Sequence, residues 1–391
     1  MTFWKYCIAM LGAFQYGYTI AVMAGALLLI APRYQLDPSS QGFLVSVILF
    51  GALAGAASAG MVADFFGRKK AQIAIAAFFL IGTLVVVFSP SYESIVLGRI
   101  LQGLATGAIS VVGPMYVAEV SPASLRGRYV SFYQLTVTFG ILCAYLTSYL
   151  FSGDGGFRWM FALGILPAIM QGVGFLALPD SRSLESKEKA SWKTLFKKEY
   201  RPILTAAVLI NFFQQLTGIN AIIYFAPSIF KMCGFTSVSG AIFSAVLIGL
   251  VNFLSTCVSI FLIDRKGRKP LLLAGTLGMF LSLVALCLGC SVSPWIATVS
   301  LMVYVGCFAF GLGPIPQLLA SEIFPHSIRS KGMSVALFAS WVCNFLVVFT
   351  FMDLVTYLTQ AGAFLIYAVF ALVAFYFIWK KIPETKGMIL K

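Results

Sequence analysis

The chain has 391 residues, 60% of them hydrophobic and only 10% charged, with a mean hydropathy of +0.95. A water-soluble domain carries about 25% charge, and a soluble fold of this composition would expose large apolar patches and aggregate. The net charge of +14 lies in short clusters between apolar runs, so it marks orientation in a bilayer and excludes a nucleic-acid surface.

About 20 apolar residues cross a bilayer. In chain order the sequence predicts spans near 5–30, 41–62, 71–89, 93–118, 128–151 and 157–178, then near 202–229, 240–263, 270–290, 295–320, 333–357 and 361–379. Residues 31–40, with Pro32, Asp37, Pro38, Ser39 and Ser40, read as a tight connection, and 152–156 as a turn. The expected organisation is an N-terminal six-helix bundle at 1–178, a cytoplasmic linker with short amphipathic helices at 179–201, a C-terminal six-helix bundle at 202–380 and a short cytoplasmic tail at 381–391. The fold class is all-α, because backbone groups in lipid must bond within their own segment. The first apolar run is too long for a cleavable signal peptide.

With Met1 on the cytoplasmic side, Lys5 and the clusters at 68–70, 126–128, 182–201, 265–269, 329–331 and 380–391 fall inside, 23 of the 27 Lys and Arg. That asymmetry predicts a multi-pass protein of the plasma membrane with both termini cytoplasmic. The eight Cys lie mostly within spans and have no metal-ligand spacing, so they read as small core residues and not as disulfides. The single His, His326, has no Cys or His neighbour. No nucleophile–base or metal constellation is visible, so no enzyme activity and no cofactor are expected.

Three charged motifs recur in the same order. Asp64-Phe65-Phe66-Gly67-Arg68-Lys69 answers Asp264-Arg265-Lys266-Gly267-Arg268-Lys269. Glu119 followed by Arg126 answers Glu322 followed by Arg329, and Pro179-Asp180 answers Pro383-Glu384. The offsets are 200, 203 and 204, which makes the molecule two related halves. Parallel membrane repeats are the pattern of a transporter whose halves rock around a central site. Asp64, Arg68, Glu119, Arg126, Asp264, Arg268, Glu322 and Arg329 then form a cytoplasmic charge latch that pairs across helices when that side is closed. Gly51-x3-Gly55 and Gly103-x3-Gly107 are small-residue patterns expected to let helices approach within a bundle.

These motifs resemble those of the sugar porters of the major facilitator superfamily, from about Gly12 to Gly387. The resemblance is carried by Gly17-Tyr18-Thr19, Gly98-Arg99-x3-Gly103-x3-Gly107, Pro114-x-Tyr116-x2-Glu119, Gln214-Gln215-Leu216-Thr217-Gly218-Ile219-Asn220, Gly313-Pro314-Ile315-Pro316 and Pro383-Glu384-Thr385-Lys386-Gly387. It implies that Gln134, Gln214, Gln215, Asn220 and Asn252 are ligands to sugar hydroxyls, with Trp341 as an aromatic wall and Asn344 as its polar neighbour. It also implies that Tyr224 and Phe225 form an outer gate, and that a neutral sugar or polyol is held between the halves near mid-bilayer by a protein working as a monomer. Amides suit such a solute, since each offers both donor and acceptor without charge. On an ideal helix Gln214, Gln215 and Asn220 do not share a face, and a break at Gly218 would turn them inward.

Two departures from the family pattern bear on mechanism. Proton-linked members carry Asp at the position of Thr19, paired with the Arg that matches Arg99. Threonine cannot titrate, which points to uncoupled, facilitated transport, with proton symport as the alternative. Gln317 stands where family members usually have Trp, and Ala309 replaces a residue that is polar or acidic in many facilitators, so the pocket is expected to be wider or more polar.

Overall fold

The computed structural model describes residues 3–122, 125–153, 155–180, 192–290, 292–325 and 328–384. Helix dominates. α1 (Phe3–Arg33) leads through a turn with Gln35 at φ 51° into α2 (Pro38–Phe66), which carries proline at its first position. Gly67, at φ 87°, reverses the chain into α3 (Arg68–Val87). α4 (Tyr92–Val120) opens on a capping box between Ser91 and Ser94, and α5 (Arg126–Leu150) follows. α6 (Gly156–Ala162) and α7 (Ile165–Leu176) together make the sixth crossing. After the short α8 (Trp192–Leu195), α9 (Arg201–Leu216) and α10 (Ile219–Met232) form one interrupted crossing. α11 (Val238–Lys266) and α12 (Arg268–Gly289) are joined at Gly267, φ 89°. α13 (Pro294–Phe310) and α14 (Ile315–Ile323) form a second interrupted crossing.

α15 (Arg329–Lys381) runs for 53 residues. At 1.5 Å per residue that is about 80 Å, far beyond a hydrocarbon core of about 30 Å. Thr359 resolves the excess: its φ of 63° and ψ of 170° break the helix between two crossings. The described residues hold 11 helices long and apolar enough to span, and the break in the last makes twelve. The break falls between the spans expected at 333–357 and 361–379.

The chain clusters into two compact units. The first comprises Met1–Leu184, Ile223–Lys231 and Phe235–Gly249; the second comprises Glu185–Ile222, Met232–Gly234 and Leu250–Lys391. In the first unit α2 and α4 pack backbone to backbone. A Cβ on Gly103 would stand 2.1 Å from the Ile48 carbonyl oxygen, and one on Gly107 2.0 Å from that of Ala52. The small-residue patterns therefore serve contact inside a bundle.

One expectation from the cysteines is overturned. Cys233, just past α10, and Cys290, at the end of α12, form a disulfide with Cα atoms 5.0 Å apart. Their separation of 57 residues follows no motif, so spacing alone could not pair them. The other six cysteines are free. Closing a loop of this length stabilises by about 2–4 kcal/mol. Cys233→Ser is accordingly expected to lower the thermal unfolding midpoint, and reductant should lower the wild type to the same value while leaving the variant unmoved.

Candidate functional site

The second unit gathers all but one of the amides that the sequence singles out, Gln134 lying in the first. α9 ends at Leu216, and Gly218, at φ 87°, starts the chain again as α10. A side chain at Gly218 would also strike the Tyr367 ring 2.5 Å away, so glycine is required on both grounds. The interruption leaves backbone groups without helical partners. The Tyr304 hydroxyl satisfies one of them, donating to the Thr217 carbonyl at 2.8 Å.

Across this break the three amides meet. Asn220 Nδ2 donates to Gln215 Oε1 at 2.7 Å, and Gln215 Nε2 donates to Ser340 Oγ at 2.9 Å and to Gln214 Oε1 at 3.5 Å. Gln214 Nε2 reaches the second interrupted crossing and donates to Leu312 O at 2.6 Å and Gly313 O at 2.9 Å. Both of its donors are thus engaged, and with Gln215 already on Oε1 a single Oε1 lone pair remains to receive a ligand. The amides bond to one another more than the sequence reading foresaw. Among the described residues Asn220 keeps an unused acceptor and half of its donor capacity, and it is less buried than Gln214 or Gln215.

Asn344 lies one helical turn from Ser340 on α15, buried, with its Oδ1 accepting no hydrogen bond among the described residues. Trp341 and Asn252 are also buried, on α15 and α11. Gln317, on α14, and Gln134, on α5 of the first unit, are exposed, so neither joins the buried network. Tyr224 and Phe225 are fully buried, in a segment that clusters with the first unit. There the Tyr145 hydroxyl donates to Ile223 O at 2.6 Å, fixing the backbone just before Tyr224.

Thr19 and Arg99 come together in the first unit. Arg99 is completely buried, and its Nη1 donates to the Thr19 carbonyl at 3.2 Å and to Gln102 Oε1 at 3.0 Å. Gln102 is in turn held by the Thr83 hydroxyl, 3.0 Å from its Nε2. The guanidinium carbon stands 5.8 Å from the centre of the Phe161 ring.

The charge clusters form twice, each inside its own unit. In the first, Arg68 bridges Asp64 and Glu119. In the second, Arg268 Nη2 pairs with Glu322 at 2.7 Å. Asp180 and Glu384 belong to the third repeated motif, which by itself assigns them no role. Asp180 accepts from the Lys69 backbone N–H at 3.2 Å, at the start of α3. Glu384 accepts from the backbone N–H groups of Arg268 and Lys269, both at 3.0 Å, at the start of α12. Each carboxylate thereby sits at a helix N-terminus, where the dipole favours negative charge. The signal was the third repeated motif itself. The side chains of Arg126, Asp264 and Arg329 lie outside the described residues, as does His326.

Comparison with known proteins agrees with this architecture. The chain matches the family described as sugar (and other) transporter over residues 4–189 and 182–391. It is 33% identical to the galactose-proton symporter of Escherichia coli (strain K12), covering 100% of this chain and 93% of that protein. It is also 33% identical to a D-xylose transporter of Levilactobacillus brevis, over 99% of this chain and 93% of that one. The crystal structure of a D-xylose-proton symporter superposes with a TM-score of 0.86 at 30% identity, covering 100% of both chains. The twelve crossings therefore fold as two bundles of six, and the chain belongs to the sugar transporter family of the major facilitator superfamily.

Proposed function

We propose that this transporter moves a neutral sugar, a monosaccharide, by alternating access and without proton coupling. The observation that carries the reading is Arg99 hydrogen-bonded to the backbone of Thr19, where a proton-linked design places a titratable acid. The described carboxylates of the first unit are engaged or exposed elsewhere: Asp64 and Glu119 with Arg68, Asp180 at the start of α3, and Asp37 and Glu93 at exposed positions. In this reading Asn220, Gln215, Gln214, Asn252, Trp341 and Asn344 present the sugar site, with Gln134 and Gln317 contributing from exposed positions. Tyr224 and Phe225 act as the outer gate. The charge clusters latch the cytoplasmic side, and a single chain suffices. The disulfide supports placing Cys233 and Cys290 on the oxidising outer face, which puts both termini inside.

A proton-coupled sugar or polyol symporter is the second reading, favoured by the names of the galactose and xylose relatives. Proteoliposomes decide between them. Uptake by the wild type is expected to be unchanged by an imposed inward proton gradient and to bring no proton with the sugar. Thr19→Asp is expected to make uptake rise at least threefold with the same gradient. Sugar-driven alkalinisation outside wild-type vesicles would refute uncoupled transport.

A further inference from the structure

Arg99 carries more bonding capacity than its surroundings use. The guanidinium is 0% exposed, yet Nε and Nη2 have no hydrogen-bond partner among the described residues. These two nitrogens lie on one edge of the planar group, and their N–H bonds run side by side, the fork that takes a carboxylate or halide in bidentate fashion. The other edge is occupied, since Nη1 serves Thr19 O and Gln102 Oε1. Phe161 stands 5.8 Å away and shields the group without neutralising it. A permanently charged group removed from water without a counter-ion costs several kcal/mol. Every described carboxylate of this unit is exposed or already engaged. Gln15, one turn before Thr19 on the same face of α1, is also buried and leaves both Nε2 and Oε1 without partners among the described residues.

We propose that the free Nε–Nη2 edge of Arg99 is a binding site for one small monovalent anion, which supplies the negative charge missing at position 19. Two sources share this chemistry: an inorganic halide from solution, or the carboxylate of a sugar acid. The inference is independent of whether a neutral sugar is carried, because its first readout is stability and not uptake.

The test is thermal unfolding of the purified full chain in neutral detergent, with chloride exchanged for bulky isethionate at constant ionic strength. Glucuronate and glucose are titrated separately into chloride-free samples. Wild type is expected to show a saturable rise in Tm of about 2 °C with the anion that binds. Thr19→Asp adds a carboxylate on the residue whose backbone carbonyl already meets Nη1, and on this proposal its Tm should not respond to either anion. Arg99→Gln should be equally unresponsive. A rise with chloride assigns the anion to solution; a rise with glucuronate but not with chloride or glucose assigns it to a substrate carboxylate. A wild type indifferent to both anions overturns the proposal, and so does a Thr19→Asp protein that responds as the wild type does. Failure of neutral-sugar uptake alongside a retained chloride response would remove the transport reading and leave this site standing.

Discussion

Sugar uptake by Gln215→Ala is expected to fall by about 10- to 100-fold, equivalent to roughly 1.4–2.8 kcal/mol. Gln215 sits at the centre of the amide network. It accepts from Asn220 and donates to Ser340 and Gln214. Truncation leaves the Asn220 amide without its acceptor and removes the restraint that orients it. Asn220 is the least saturated of the three, so losing its orientation removes the best remaining grip on a sugar hydroxyl. Ser340→Ala provides the comparison: Gln215 Nε2 then retains Gln214 Oε1, and the loss should stay below about 5-fold, in keeping with one ordinary hydrogen bond. Initial uptake rates in proteoliposomes with matched protein content read both. A Gln215→Ala protein within twofold of wild type would take the network out of the transport mechanism.

Gly107→Val is expected to prevent stable assembly of the first unit, at a cost of about 3 kcal/mol or more. The Cβ alone would lie 2.0 Å from the Ala52 carbonyl oxygen and 2.7 Å from the Ala52 Cα, so backbone and not a flexible side chain blocks it. α2 and α4 could respond only by separating. They would then lose the matching contacts at Gly51, Gly55 and Gly103, which are equally close. Gly60→Val is the control, because a Cβ there meets nothing within 4 Å. Size-exclusion profiles from membranes should show the monodisperse peak collapsing for Gly107→Val and surviving for Gly60→Val. Equal peaks would mean that the two helices can slide apart at little cost.

Much of the fold was legible because lipid imposes one rule on every segment. Apolar length alone located the crossings, and the repeats gave their grouping into related halves. The helix break at Gly218 could be read from a glycine among amides that shared no face. What stayed hidden depends on partners distant in sequence. Nothing in the run from Gln214 to Asn220 says that Gln214 bonds Leu312 and Gly313. Nor does any spacing pair Cys233 with Cys290. Residue type identified the polar cluster, but only geometry shows how much bonding capacity each member keeps. Arg99 illustrates the same limit: its missing acid was visible at Thr19, while the idle edge of its guanidinium was not.

The two helix breaks of the second unit, at Thr217–Gly218 and at Gly311–Pro314, carry a mutual dependence. Gln214, from the end of α9, plugs exposed carbonyls in the gap between α13 and α14, and Tyr304, from α13, plugs the gap between α9 and α10. Each fracture is mended by a side chain borrowed from the other helix. Straightening either one would strand its neighbour's donor in hydrocarbon. The pair must therefore bend, shift or persist together, like two cracked beams splinted by each other.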